Sequence, residues 1–271
     1  PGNAALRARY YHTLHEMLRE NYHHPIARWC RENGLAYIAE VPGMRMTTQR
    51  YSDVPGGDFN HEKIGVPLDT IHNLHTTNYR HNPTAIASLA RQKDAPRALV
   101  ESFHSIGWSM TLQDAKWGID YLTACGINLF NLHAFSYSTA GLRKYDAPPS
   151  QFFQNPYWDH YRLFADYAAR NALISANTAS LHDVAVLEPT TTLWTLFTNP
   201  FDDYAYGGSS GAECAEHERI RDCWRSVRKA LFHAQIGFDH LDAEMLAAAS
   251  ISDGALRIGN AVYHALIVTH S

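Results

Sequence analysis

Two features of the sequence predict an α/β fold of parallel strands joined by helices. Short apolar segments at residues 35–39, 98–100 and 127–135 alternate with segments in which apolar residues recur at helical spacing. Each apolar segment runs into polar or charged side chains, as barrel strands do at the edge where chemistry is placed. Near residue 178 the alternation starts again. We therefore expect three or four βα units of a (β/α)8 TIM-type barrel at residues 1–178, then part of a smaller doubly wound α/β domain at residues 179–271.

The N-terminal part of the chain combines helical and extended patterns. Helical spacing covers residues 4–32, with a break expected at His23-His24-Pro25. Residues 35–40 have the pattern of a short buried strand, and residues 44–54 that of a second extended stretch. Because proline and paired glycines follow, we expect a loop at residues 53–59.

The middle of the chain alternates helices and strands. Pro83 begins a predicted helix, and residues 98–101 follow as a strand. A capping box of Thr111 and Asp114 begins the next helix. A further strand and a long aromatic helix follow, at residues 127–135 and 157–175.

A separate parallel sheet is predicted after residue 178. Residues 182–188 have the pattern of a strand, and a charged helix is expected at residues 213–235. Further short strands are expected at residues 238–242 and 256–268, with Asp253-Gly254 as a turn. This second domain is the candidate surface for an oligomer contact.

Composition narrows the class of partner. The net charge is −4 and only 18% of residues are charged, which favours neither a nucleic acid nor an anionic membrane. Aromatic residues make up 12% of the chain and there are 17 histidines, which suits an uncharged ligand rich in hydroxyl groups.

The four cysteines lack zinc-finger spacing, so free thiols are expected. No apolar run has the roughly 20 residues needed to span a bilayer, and the compartment is not identified.

Glu101 is the first candidate for a catalytic group, because it ends a predicted strand and is followed by small, polar and aromatic residues. Glu40 also ends a predicted strand and would point to the same rim. Glycosidic bond hydrolysis needs two carboxylates of this kind. The alternative for Glu40 is a turn cap or an ion pair with Arg45 or Arg50.

Further polar and aromatic residues are candidates for substrate binding. Asp53 and Asp58 are placed to bind sugar hydroxyls or a calcium ion, or serve only as turn residues. His104 and Trp108 follow the Glu101 strand, and a buried core histidine is the alternative for His133. The remaining candidates lie at or beyond the end of the next strand: Asn131, His133, Tyr137 and Arg143.

Other chemistries are less well supported. Ser105 follows His104, yet the GxSxG pattern of a serine hydrolase is missing around it. The histidine pairs lack the HExxH spacing of a zinc site, and the glycine-rich segment 207–211 lacks the GK[ST] ending of a phosphate loop. We therefore expect no metal ligand set of these types.

Several motifs together resemble glycoside hydrolases related to family 106, the α-L-rhamnosidase type, within the barrel clan that contains family 42 β-galactosidases. The motifs are Leu99-Val-Glu-Ser-Phe-His-Ser, Gly107-Trp108, Asp114-Ala-Lys-Trp117, Gly126-Ile-Asn-Leu-Phe-Asn-Leu-His133, Arg143-Lys-Tyr-Asp-Ala-Pro-Pro-Ser150 and Pro156-Tyr-Trp-Asp-His-Tyr-Arg162.

The resemblance implies a fold and a reaction. It implies the last strands of a (β/α)8 catalytic barrel, followed from Asp183 by part of a flavodoxin-like domain. Glu101 falls on the late-strand glutamate, the base of inverting enzymes or the nucleophile of retaining ones. The acid would lie on an earlier strand, in a segment that would precede Pro1.

Calcium is associated with family 106, but no ligand set matches here. A carbohydrate-binding protein or pseudoenzyme, without a complete catalytic pair, is the alternative class.

Overall fold

Two parallel sheets and one small antiparallel sheet form the framework of the computed structural model, which describes residues 3–40, 45–58, 64–67, 69–71, 82–196 and 215–269. The mixed α/β class is as predicted. The described part of the N-terminal half forms an open parallel sheet of four strands, and closure into a barrel stays a prediction. The domain boundary at residues 178 and 179 also stays a prediction.

The N-terminal helical segment is continuous, so the break predicted at His23-His24-Pro25 is wrong. Helix α1 (Ala4–Leu18) passes through one π-helical turn (Arg19–His23) into α2 (His24–Glu32). Pro25 lies in the first turn of α2. The π-helical turn is a local widening of the helix, and the helix continues through it without ending.

The first sheet contains β1 (Ile38–Ala39), β2 (Val54–Asp58), β3 (Leu99–Ser102) and β4 (Leu129–Leu132). The strands are parallel and lie in chain order. The strands predicted near Glu101 and Asn131 are confirmed in position, although β4 is shorter than expected. Because all four strands are parallel, their C-terminal ends lie along one edge of the sheet.

Strand β2 corrects the prediction for residues 44–59. The predicted extended stretch contains a 3-10 helix (Met46–Tyr51), and the predicted Pro-Gly-Gly loop is the strand itself. The Gln49 side chain donates to the Gly56 carbonyl at 2.6 Å and accepts from the Gly56 N–H at 2.7 Å. A Cβ at Gly56 would lie 2.8 Å from the Ala39 carbonyl oxygen. Glycine therefore permits the close strand pairing, which a turn signal in the sequence does not reveal.

Three helices cover the first sheet: α3 (Pro83–Gln92), α4 (Leu112–Ala124) and α5 (Tyr161–Ala176). The capping box of Thr111 and Asp114 at the start of α4 is confirmed. The core between α3, α4 and the sheet includes Ile86, Ala90, Val100, Leu122 and Ile127. Outward-facing positions of β3 thus contact helices, and alternate positions such as 101 face the other side.

A second parallel sheet follows, in the order β10-β5-β6, from β5 (Val184–Leu187), β6 (Phe238–Leu241) and β10 (Ala265–Val268). Short helices α6 (Thr190–Trp194) and α8 (Ala243–Ala247) flank the long α7 (Ala215–His233) in the chain. The predicted strand region 256–268 is divided. An antiparallel unit of β7 (Ser250–Ser252), β8 (Ala255–Ile258) and β9 (Ala261–Tyr263) precedes β10, and the turn at Asp253-Gly254 joins β7 to β8.

Two expectations from composition concern cysteines and membranes. Cys30, Cys125 and Cys223 are free thiols, whereas Cys214 and the glycine-rich segment 207–211 lie outside the described residues. Among the helices that the structure describes, none has the length and hydropathy required to cross a bilayer.

Candidate active site

The C-terminal ends of three neighbouring strands bring three polar residues into one row. Asp58 on β2 pairs in register with Glu101 on β3, which pairs in turn with Asn131 on β4. Paired residues of adjacent strands are separated by about 4.8 Å and share a face of the sheet. The Glu101 side chain is 20% exposed and Asn131 is exposed, so solvent reaches the row.

A buried carboxylate fixes the imidazole next to this row. Asp58 is 1% exposed, and its Oδ2 lies 2.8 Å from Nε2 of His104. Because a carboxylate only accepts hydrogen bonds, Nε2 donates, and Nδ1 faces the Ser105 hydroxyl at 3.1 Å. The residues on both sides of His104 have left-handed backbone, with φ of 78° at Phe103 and 58° at Ser105. Such backbone is uncommon away from glycine and is concentrated at functional sites.

A second imidazole faces the candidate catalytic carboxylate. Nε2 of His133 lies 4.0 Å from Oε1 of Glu101. The rings of His133 and His104 are 5.8 Å apart and nearly perpendicular. Five residues from three strand ends therefore form the candidate active site: Asp58, Glu101, His104, Asn131 and His133. Their groups can accept a proton from water and hold hydroxyl groups.

Glu40 and Asp53 occupy different ends of the same sheet. Glu40 follows β1 directly and is partly buried, at the edge that carries Glu101. Asp53 precedes β2, so it lies at the opposite edge from Asp58, roughly 16 Å along the strand at about 3.3 Å per residue. Its Oδ2 accepts from the Tyr37 N–H at 2.8 Å, and its Oδ1 lies 3.1 Å from Arg31. The structure therefore does not bring Asp53 into the candidate active site.

Trp108, Tyr137 and Arg143 lie on the loops that follow β3 and β4. The Trp108 indole N–H donates to the Lys144 carbonyl at 2.8 Å and so joins the two loops. Arg143 pairs with Asp146 at 3.2 Å, and the Tyr137 residue is 88% exposed. Their use in substrate binding stays a prediction.

The residues suggested for calcium do not fit a shared ion. Asp53 and Asp58 lie at opposite ends of β2, and each carboxylate contacts the basic side chain named above. One group with metal-ligand spacing exists among the described residues, formed by His12, Glu16 and Glu244. The Arg19 guanidinium contacts both of those carboxylates, and Arg45 lies 3.7 Å from Glu244, so basic side chains already pair with both of them. We therefore assign no cation to either place.

Sequence analysis missed the residues that support His133. Gln151 is fully buried and donates from Nε2 to the His133 carbonyl at 3.0 Å. A glutamine after Pro148-Pro149-Ser150 carries no pattern that would identify such a role. The contact depends on the path of the loop, which the sequence does not specify.

The chain is similar to the solved structure of a rhamnosidase. The similarity is to a rhamnosidase from Novosphingobium sp. PP1Y, with a TM-score of 0.68 and 17% sequence identity. It covers 96% of this chain and 23% of the rhamnosidase, so the chain spans about a quarter of that protein. No protein-family model matches the chain, and no curated protein matches it. At this identity the comparison shows a shared fold.

Proposed function

We propose that the chain provides part of the active site of a glycoside hydrolase of the α-L-rhamnosidase type, built on a (β/α)8 barrel. The observation that carries the proposal is the position of Glu101. Its partly exposed carboxylate lies at the C-terminal end of a parallel strand, between Asp58 and Asn131 in register. The fold shared with a rhamnosidase supports this choice of reaction class.

Glu101 acts on the anomeric carbon in this proposal. As a base it removes a proton from water while the water oxygen bonds to that carbon and the glycosidic C–O bond breaks. As a nucleophile it bonds to the carbon itself while the glycosidic C–O bond breaks, and in a second step water attacks the same carbon, the bond to Glu101 breaks and the sugar is released. Asp58 accepts a hydrogen bond from His104 and fixes the orientation of that imidazole. Glu40 is the other candidate carboxylate on this edge.

The test is hydrolysis of 4-nitrophenyl α-L-rhamnopyranoside and a panel of other 4-nitrophenyl glycosides. Nitrophenolate leaves without prior protonation, so the assay depends on Glu101 and little on the acid. Glu101→Gln should lower kcat by about 10²–10⁴-fold, the range for a positioned acid or base. The product anomer, followed by NMR, distinguishes a nucleophile from a base.

Glu32→Gln is the matched control, because the Glu32 side chain is 65% exposed on α2 and pairs only weakly with Arg28 at 3.9 Å. It should keep the wild-type rate. A Glu101→Gln variant with unchanged kcat would remove Glu101 from the mechanism. Binding of rhamnose without turnover of any glycoside would favour the carbohydrate-binding alternative.

A further inference from the structure

The segment 133–137 after β4 is held by the side chains of a later segment, 150–154. This inference rests on the proposed function, because segment 133–137 carries His133 and Tyr137. Gln151 and Gln154 supply the side-chain donors, three residues apart. Their acceptors are backbone carbonyls, at His133, Ser136 and Tyr137.

Gln151 has one permitted orientation. The His133 carbonyl can only accept a hydrogen bond, so the Gln151 amide nitrogen must face it. The amide oxygen then faces Tyr161, whose hydroxyl donates to it. Burial raises the pKa of Tyr161, so this hydroxyl keeps its proton. The Gln151 backbone N–H also donates to the Ala134 carbonyl at 2.8 Å.

The His133 ring depends on this backbone support. Its Nδ1 is buried and makes no hydrogen bond within the part of the chain that the structure describes. Its Nε2 is the atom that lies 4.0 Å from Glu101. With no hydrogen bond at Nδ1 to orient the ring, its distance to Glu101 depends on the ring contact with His104 and on the position of the His133 main chain.

Gln154 holds the outer part of the same segment. Its Nε2 donates to the Ser136 carbonyl at 2.9 Å and to the Tyr137 carbonyl at 3.1 Å. Its Oε1 accepts from the Ser150 hydroxyl at 2.9 Å. The backbone that Gln154 fixes carries the exposed Tyr137 ring, which contributes no group near Glu101 in the described contacts.

We propose that Gln151 and Gln154 are positioning residues with separable effects. Gln151 sets His133 against Glu101 and so controls turnover. Gln154 sets Tyr137 at the outer rim and so controls substrate binding. The two glutamines share one chemistry, and the difference between them lies in which part of the segment each one holds.

The experiment compares Gln151→Met with Gln154→Met on 4-nitrophenyl α-L-rhamnopyranoside. Gln151→Met should lower kcat by roughly 10–100-fold with KM within about twofold, since a misplacement near 1 Å can cost about 10² in rate. The pH dependence of kcat should change too, because His133 no longer faces Glu101 in the same way. Gln154→Met should raise KM by about three- to tenfold and leave kcat within about twofold.

Two further variants keep the test decisive. Gln113→Met, on the exposed side of α4, is the control and should change neither constant. Tyr161→Phe removes the donor that orients Gln151 but leaves both carbonyl contacts in place, so its kcat should lie between wild type and Gln151→Met. Melting curves confirm that each variant is folded, and an unfolded Gln151→Met leaves Tyr161→Phe to decide.

The outcomes separate this inference from the proposed function. If Glu101→Gln abolishes turnover while Gln151→Met and Tyr161→Phe keep wild-type kcat, the inference is wrong and the proposed function stands. If Gln151→Met and Gln154→Met changed kcat by the same factor and KM by the same factor, the inference would also be wrong. If Glu101→Gln keeps its rate, the proposed function is wrong, and the inference that rests on it is wrong as well.

Discussion

Glu188 shows how burial changes the chemistry of a single residue. It follows β5, is 4% exposed, and its Oε1 lies 2.8 Å from Nδ1 of His240. Burial raises the pKa of Glu188 well above its ordinary value, the charge of Asp242 adds to this, and Arg228 opposes it. Burial also lowers the pKa of His240 well below its ordinary value. We therefore expect a neutral pair, with Glu188 protonated and donating to the imidazole.

Glu188→Gln should become relatively more stable as the pH rises. The folded state holds the Glu188 proton above the ordinary pKa of 4.5, so this contribution is complete below that value and declines as pH approaches the raised pKa. Glutamine keeps a donor for His240 and does not titrate. In urea unfolding from pH 4 to pH 7, the free energy of unfolding of wild type should fall relative to that of the variant. The change should be about 1.4 kcal/mol for each unit by which folding raises the pKa of Glu188.

Glu216→Gln is the matched control, because Glu216 pairs with Arg219 on the exposed side of α7. Its difference from wild type should be small, because exposed ion pairs contribute little to stability. A difference for Glu188→Gln that does not change over this pH range would contradict the raised pKa of Glu188.

At the scale of the element, β2 marks what the sequence could and could not predict. The pattern around Glu101, Asn131 and His133 predicts their strand ends because β3 and β4 begin with apolar residues, as short buried strands do. Pro55, Gly56 and Gly57 have no apolar pattern of this kind. Strand β2 is therefore recognised only in the structure, from its contacts with Ala39 and Gln49. That one error misplaced Asp53, whereas Asp58 gained an unpredicted partner in His104.

Gly56→Ala should weaken both the pairing of β1 with β2 and the candidate active site. The added Cβ would lie 2.8 Å from the Ala39 carbonyl and 3.1 Å from a Leu99 methyl, so backbone must move. Overpacking of this kind typically costs about 1–3 kcal/mol. Because Asp58 is two residues further along β2, glycoside turnover should fall together with the free energy of unfolding measured in urea.

Gly254→Ala provides the comparison for this element. It also adds a Cβ at a glycine, but into open space, and its φ of 74° makes alanine unfavourable. It should lower stability by about 1–2 kcal/mol and leave turnover unchanged. Equal loss of turnover in both variants would show that the effect of Gly56→Ala is not local to β2.

For the molecule as a whole, helix α3 joins the two parallel sheets. One side of the helix packs Ile86 and Ala90 into the first core, as its periodicity predicts. The other side carries Ser88, Arg91 and Gln92, which bond to β6 and β9. The alternation of elements predicts both sheets, but polar residues on a helix give no sign in sequence that they face another buried strand.

Asp239→Asn tests this joint. The Asp239 side chain is fully buried and contacts Ser88, Arg91, His182 and Tyr263 at 2.7–3.0 Å. Burial alone would raise the pKa of Asp239, but His182 and Arg91 outweigh it and lower the pKa. Breaking such a buried ion pair typically costs about 3–5 kcal/mol, which we expect in urea unfolding at pH 7.

The pH dependence of Asp239→Asn distinguishes an ion pair from simple packing. The ionised carboxylate contributes fully above its ordinary pKa of 3.8, and this contribution is lost as pH falls through the lowered value. The difference in free energy of unfolding between wild type and variant should therefore shrink in acid. Asp183→Asn is the control, because the Asp183 side chain is 80% exposed, and it should change the free energy of unfolding little at any pH. A gap that stays constant down to the acid transition would mean that shape at Asp239, and not its charge, holds the two sheets to α3.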